Sequence, residues 1–251
     1  MSLLLGVNVD HVATLRQARY ANTPQAFNAE PSPLAASLAA QDGGADSITI
    51  HVRGDRRHMQ EFDAFAIRKQ CSLPLNLEMG NTPEMLALAL KLRPDFVCMV
   101  PETREEVTTE GGLDVVASLA ETRQTVSQLQ EAGIRVSLFI DPESSQVAAA
   151  KELGAEMIEL HTGAFANAEN EGEIVDELNR LQLAAREGNE AGLQVNAGHG
   201  LNYRNLPQFL EAVTGLAELN IGHSIVSRST VVGFEAAVRE MRELMESLSN
   251  T

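Results

Sequence analysis

The sequence predicts a (β/α)8 barrel, a TIM barrel with extra helices and loop insertions, formed as one domain over residues 1–251. Three observations predict it. Eight short apolar-rich runs recur from end to end, longer segments of helical period lie between them, and no linker or composition break divides the chain. Largely apolar strands separated by helices pair in parallel, because parallel neighbours need a crossover connection. Eight such units in 251 residues suit a closed barrel. The competing architecture, an open doubly wound sheet, would place a glycine-rich phosphate loop early in the chain. Neither G-x-G-x-x-G nor G-x-x-x-x-G-K follows any of the runs.

The first strand is read at Leu3–Val9, stopped by Asp10. Tyr20–Pro33, with three prolines and two asparagines, reads as a long loop, and loops of that length in compact domains commonly act as lids. Strands follow at Ser47–His51, Pro74–Glu78 and Asp95–Val100, with a helix at Pro83–Leu92. Asp114–Ala132 has helical period and stops at Gly133; Arg135–Ile140 is the fifth strand. Ser144–Leu153 is a helix ended by Gly154, and Glu156–His161 the sixth strand. Helix Glu173–Arg186, strand Gly192–Asn196, helix Leu206–Val213 with Gly215 beyond it, strand Glu218–Gly222 and helix Phe234–Leu248 complete the series.

Composition narrows the function. With 44% hydrophobic and 22% charged residues the chain can bury a substantial core. Thirty-five acidic against nineteen basic residues leave a net charge of −16, which repels a polyanion, so nucleic acid is not expected as a partner. No run approaches the roughly 18 apolar residues of a membrane span, and Leu3-Leu4-Leu5 meets Asp10 and His11 too soon for a signal peptide. Two cysteines, Cys71 and Cys98, form no disulfide framework and no C-x-x-C pair. A reducing cytoplasm is the expected compartment.

All six histidines, His11, His51, His58, His161, His199 and His223, fall at the C-terminal end of a strand or just after it. A barrel gathers those ends on one face, where catalytic groups sit. Single histidines are ordinarily satisfied by a local hydrogen bond; six at or just after the ends of five strands point to a site. Acidic residues share the bias: Asp10, Glu78, Asp141 and Glu159. Glu78 ends Leu75-Asn76-Leu77-Glu78, where alternation aims it inward; burial raises a carboxyl pKa towards neutrality and suits it to be a general base. Glu159 and His161 share a side of their strand and are candidates for a carboxylate–imidazole pair. Arg16, Arg19, Arg53, Arg56 and Arg57 follow the first two strands, a concentration suited to phosphate or carboxylate, with solvated ion pairs as the plainer account. Ala197-Gly198-His199-Gly200 and Gly222-His223-Ser224 offer backbone N–H groups where barrels bind phosphate. The three lysines, Lys69, Lys91 and Lys151, lie on helices, which excludes a Schiff-base aldolase. His51, Glu78, His161 and His199 could supply metal ligands, but no H-x-H or H-E-x-x-H spacing is present and no metal is expected.

Leu5-Gly6-Val7-Asn8-Val9-Asp10-His11-Val12-Ala13-Thr14-Leu15-Arg16, Asp55-Arg56-Arg57-His58, Asn76-Leu77-Glu78-Met79, Val100-Pro101-Glu102, Val107-Thr108-Thr109-Glu110-Gly111-Gly112-Leu113-Asp114, Glu159-Leu160-His161-Thr162-Gly163, Val195-Asn196-Ala197-Gly198-His199-Gly200-Leu201 and Leu219-Asn220-Ile221-Gly222-His223 together resemble the pyridoxine 5′-phosphate synthase family. The resemblance runs from residue 3 to about 245. It implies condensation of 1-deoxy-D-xylulose 5-phosphate with 3-amino-2-oxopropyl phosphate to pyridoxine 5′-phosphate, phosphate and water, with no cofactor and no metal, in a homo-octamer. Carried over by motif, Glu78 and His51 are proton acceptors, His199 a proton donor, and Glu159 a stabiliser of positive charge. Asn8, Arg19, Gly200, Gly222 and His223 would hold the amino-ketone phosphate; Asp10, His11, Arg53, His58 and Thr108 would hold the sugar phosphate. The chain departs from the family at Gly54, where an acidic residue is usual, at Gly80, where Ala is usual, and in the length of Tyr20–Pro33. A metal-dependent aldolase or epimerase of a sugar phosphate, and a non-catalytic phospholigand-binding barrel, remain as alternatives.

Overall fold

The computed structural model describes residues 2–102 and 111–249. Eight parallel strands close into a barrel in chain order: β1 (Leu4–Asn8), β2 (Ser47–His51), β3 (Leu75–Met79), β4 (Phe96–Met99), β5 (Arg135–Ile140), β6 (Met157–His161), β7 (Gln194–Gly198) and β8 (Glu218–Ile221). β1 pairs with both β2 and β8, which completes the ring. This is a TIM barrel.

Among the described residues the helices are α1 (Asp10–Tyr20), α2 (Pro33–Asp42), α3 (Glu61–Gln70), α4 (Pro83–Leu92), α5 (Leu119–Glu131), α6 (Ser144–Leu153), α7 (Gly163–Asn167), α8 (Glu171–Glu190), α9 (Leu206–Ala212), α10 (His223–Val232) and α11 (Phe234–Ser249). α4 and α6 have the predicted limits. Thr82 caps α4 through a hydrogen bond from the Met85 N–H, with Pro83 in its first turn, and Gly154 ends α6 in the left-handed region at φ 79°. α5 starts later than the periodicity suggests, because Asp114 accepts from the Ala117 N–H and holds 114–118 as a turn. β7 begins two residues later than expected: Gly192, at φ 77°, is the turn out of α8.

Each strand alternates. Leu5, Val7, Ile48, Ile50, Leu75, Leu77, Leu138, Ile158, Leu160 and Leu219 are buried in the continuous apolar layer shared with the helices. The intervening residues point into the barrel, and their contacts join strands that are not neighbours. Ser47 donates to Glu218, Thr49 to Asn220, and Asn220 to Glu159, spanning β2 to β8 and β8 to β6. Only a path through the lumen connects those strands. A methyl group on Gly6 would overlap the Asn220 and Glu218 side chains, so the floor of the lumen requires glycine there. The lumen is therefore polar, with Cys98, Val100 and Phe139 as a separate small apolar cluster. Alternation that would ordinarily mark a half-solvated strand here separates a cohesive face from a chemical one.

Candidate active site

The C-terminal ends of the strands surround a cavity of about 770 Å³, within the range of a small-molecule site. All six histidines line it, with Asn8, Asp10, Arg53, Glu78, Asp141, Glu159, Gly200, Asn220, Gly222 and Ser224 among the other walls. The expected gathering of imidazoles is thus present.

β2 and β3 set the first cluster. His51 and Glu78 are register partners on adjacent strands, and His51 Nδ1 lies 3.7 Å from Glu78 Oε2. Asp10 Oδ1 accepts from the His51 backbone N–H at 2.7 Å. Burial raises the Glu78 pKa well above the ordinary carboxylate value, reinforced by the Asp10 and Glu159 charges and opposed by Asn8. This is the inward, desolvated carboxyl that the sequence predicts.

Glu159 lies deeper. Burial carries its pKa to about 8 against the hydrogen bond from Asn220 Nδ2 at 2.5 Å. It does not pair with His161. Two residues along a strand separate the side chains by about 6–7 Å, and His161 Nδ1 instead meets Asp141 Oδ1 at 3.1 Å. That contact, then burial working against it, leaves Asp141 with a lowered pKa. His199, at φ 75°, packs against Phe139 with ring centroids 4.6 Å apart. Burial, then the neighbouring His161, His51 and His11, depress its pKa to about 3, so its imidazole is neutral.

Between these groups, after β1 and β8, His11 and His223 are edge to face at 5.1 Å. Burial lowers the pKa of His11 and of His58. His58 Nδ1 accepts from the Met59 N–H at 2.7 Å, which leaves the ring proton of the neutral form on Nε2, a donor suited to an anion. Gly222 precedes the first turn of α10, where free backbone N–H groups and the helix dipole attract negative charge.

The arginine cluster is resolved into separate fates. Arg53 is buried and lines the cavity. Arg16 is buried on α1 and forms a two-pronged pair with Asp63 of α3, at 2.6 and 2.8 Å, so it is structural. Arg56 pairs with Glu61 and Glu84, and Arg57 with Asp55, as surface ion pairs. Arg19 is exposed beside Tyr20 at 5.7 Å and does not line the cavity. Residues 21–32 form successive turns with Phe27 fully exposed, and none of them lines the cavity. Thr108 lies outside the described residues.

Two contributors are not singled out by residue type. Asn220 connects Thr49 to Glu159 across the lumen, and its signal is the Glu-x-Asn alternation of β8. Glu102 accepts from the backbone N–H groups of Gly54 and Gly80 and contacts His51 Nε2 at 2.8 Å. Asp10, His51 and Glu78 also present ligand atoms within 4.8 Å of one another, a spacing that could hold a cation.

Two solved structures of low sequence identity share the barrel. Phosphoribosylanthranilate isomerase of Thermotoga maritima aligns with a TM-score of 0.59 at 11% identity, covering 98% of this chain and 99% of that one. KGPDC of Streptococcus mutans aligns at 0.65 and 12%, covering 99% of each. Closer in sequence are proteins named pyridoxine 5′-phosphate synthase. That of Akkermansia muciniphila is 62% identical over 98% of this chain and 100% of its own length. That of a Synechococcus species is 51% identical over 97% and 98%. The family model described as "Pyridoxal phosphate biosynthesis protein PdxJ" matches residues 5–247. With a match of that length and relatives of that identity, the chain belongs to the PdxJ family.

Proposed function

We propose that this chain is a pyridoxine 5′-phosphate synthase that condenses 1-deoxy-D-xylulose 5-phosphate with 3-amino-2-oxopropyl phosphate, releasing phosphate and water. The observation that carries the reading is the convergence of six imidazoles and two carboxyls of raised pKa on one cavity, beside Arg53 and the start of α10. One substrate brings its own amine, which can form an imine with the other's ketone. The electron sink that a lysine or cofactor would supply then comes from the substrates themselves.

Glu78 and His51 accept protons in this scheme. His199 enters neutral; a bound phosphate dianion raises its proton affinity and makes it a donor once both substrates are present. Glu159, protonated at about neutral pH, ionises as positive charge builds up on the substrate nitrogen. His58 Nε2, Arg53, His11 and Asp10 serve the sugar phosphate together with Thr108. Asn8, Gly200, Gly222 and His223 serve the other substrate. Arg19, which does not line the cavity, would reach the amino-ketone phosphate from the end of α1. The same reading includes a homo-octamer and a cytoplasmic location; the structural fact bearing on location is that no described helix is long and apolar enough to cross a membrane.

The test is product formation from the two purified substrates, followed by chromatography and by phosphate release in step. Pyridoxine 5′-phosphate appearing only when both are supplied is the expected result; its absence overturns the reading. The Asp10–His51–Glu78 spacing favours a metal-dependent aldolase or epimerase as the second reading. Exhaustive chelation should leave the synthase rate unchanged, whereas loss of rate restored by a divalent ion would favour the second.

A further inference from the structure

Glu102, just beyond β4, joins three loops through one carboxylate. Its Oε1 lies 2.8 Å from His51 Nε2 and accepts from the Gly80 N–H at 3.1 Å, while Oε2 accepts from the Gly54 N–H at 3.1 Å. Gly80 leaves room for it, since a Cβ there would lie 2.9 Å from the Glu102 carboxyl carbon, whereas one on Gly54 would make only an ordinary contact with Oε2 at 3.4 Å. Burial alone would raise the Glu102 pKa, but the hydrogen bonds from His51 and Gly54, with that from Gly80, hold it down to about 2. The group is a carboxylate, and a carboxylate only accepts. The hydrogen between it and His51 therefore belongs to His51 Nε2.

A neutral imidazole has one ring proton, so with Nε2 occupied Nδ1 carries the lone pair. Nδ1 is the nitrogen 3.7 Å from Glu78 Oε2, on the cavity side. The His51 backbone is held independently by Asp10. We propose that Glu102 is a positioning residue: it fixes His51 in the Nε2–H form, so that Nδ1 is the basic nitrogen presented to Glu78 and to the substrates. The proposal deepens the synthase reading and rests on it for His51's role as a proton acceptor. The arrangement follows the logic by which a buried carboxylate selects the tautomer of a catalytic histidine elsewhere.

The experiment uses the full chain in its native assembly. Glu102→Gln removes the negative charge facing His51 and replaces one acceptor oxygen with an NH₂ group, so either Gly54 loses its acceptor or His51 and Gly80 both lose theirs. The kcat should fall about 10²–10⁴-fold with KM for both substrates changed by less than about threefold. In a double-mutant cycle with His51→Asn, Glu102→Gln should add almost nothing to the loss from His51→Asn alone. Multiplying effects, or a Glu102→Gln kcat within about threefold of the parent, would overturn the proposal. Magic-angle-spinning ¹⁵N spectra of histidine-labelled parent protein, with His51 assigned by its loss in His51→Asn, should show protonated Nε2 and bare Nδ1. The reverse assignment overturns the proposal even if Glu102→Gln fails to fold. If the parent makes no pyridoxine 5′-phosphate, the synthase reading fails, while the ¹⁵N result still decides the tautomer.

Discussion

Glu78 and Glu159 share one lumen, yet their surroundings divide their work. Glu78 stands at the rim against His51, with burial and the Asp10 charge favouring its protonated form, which in the proposed mechanism suits it to return from carboxylate to acid within a cycle. Glu78→Gln keeps the shape and removes the proton exchange; kcat should fall about 10²–10⁴-fold while substrate binding, measured by calorimetry, persists. Retained turnover would remove Glu78 from the chemistry, and retained binding without turnover in the parent would instead favour a phospholigand-binding barrel. Glu159 gives a stability signature. Its pKa is near 4.5 when unfolded and about 8 when folded, so between those values the folded state holds a proton that the unfolded state releases. Stability therefore falls as pH rises through that window. Thermal unfolding from about pH 5 to about pH 8 should decline more steeply for the parent than for Glu159→Gln; parallel declines would contradict the assignment. Glu78 was legible as a site residue because strand alternation and strand end coincide on it. The partner of Glu159 was not, since a shared strand face does not bring residues two apart within bonding distance.

At the scale of elements, α1 shows why half of the helices are quieter in sequence than the strands. Its buried face consists of Asp10, Val12, Ala13 and Arg16, so two of the four inward positions are charged and the apolar period is broken. Arg16 is tolerated there because Asp63 of α3 supplies both oxygens. Asp63→Ala, which leaves a buried guanidinium alone, should destabilise the chain by about 3–5 kcal/mol, whereas replacing both partners with apolar residues should cost far less. Melting curves for the single and double variants distinguish the two; equal losses would deny the coupling. α4 and α6, by contrast, carry ordinary signals, a proline-started apolar stripe and a glycine stop, and their limits were readable to the residue. For residues 21–32, prolines and asparagines announce the loop that is present without saying which way it faces.

For the whole molecule, eightfold alternation of short strands and helices was enough to specify the barrel, and the coincidence of histidines with strand ends was enough to specify its working face. Pairwise geometry was not available from the sequence, because Asn220 to Glu159, or Glu102 to His51, depends on ring closure bringing strands 61 and 51 residues apart into contact. Assembly is the prediction that belongs at this scale. Light scattering should report a native mass of eight 27.1-kDa chains if the octamer is correct, and a smaller particle would remove it.

A barrel whose inner residues are hydrogen-bonding groups, with its cohesion supplied by the layer between strands and helices, keeps two inventories on opposite sides of the same backbone. Heat resistance can be adjusted by exchanging residues that never meet a reactant. Reactivity can be adjusted by exchanging lumen residues without opening that apolar layer. In a barrel filled with branched aliphatics, one substitution disturbs both, so the polar interior makes this chain a scaffold in which robustness and chemistry can drift apart.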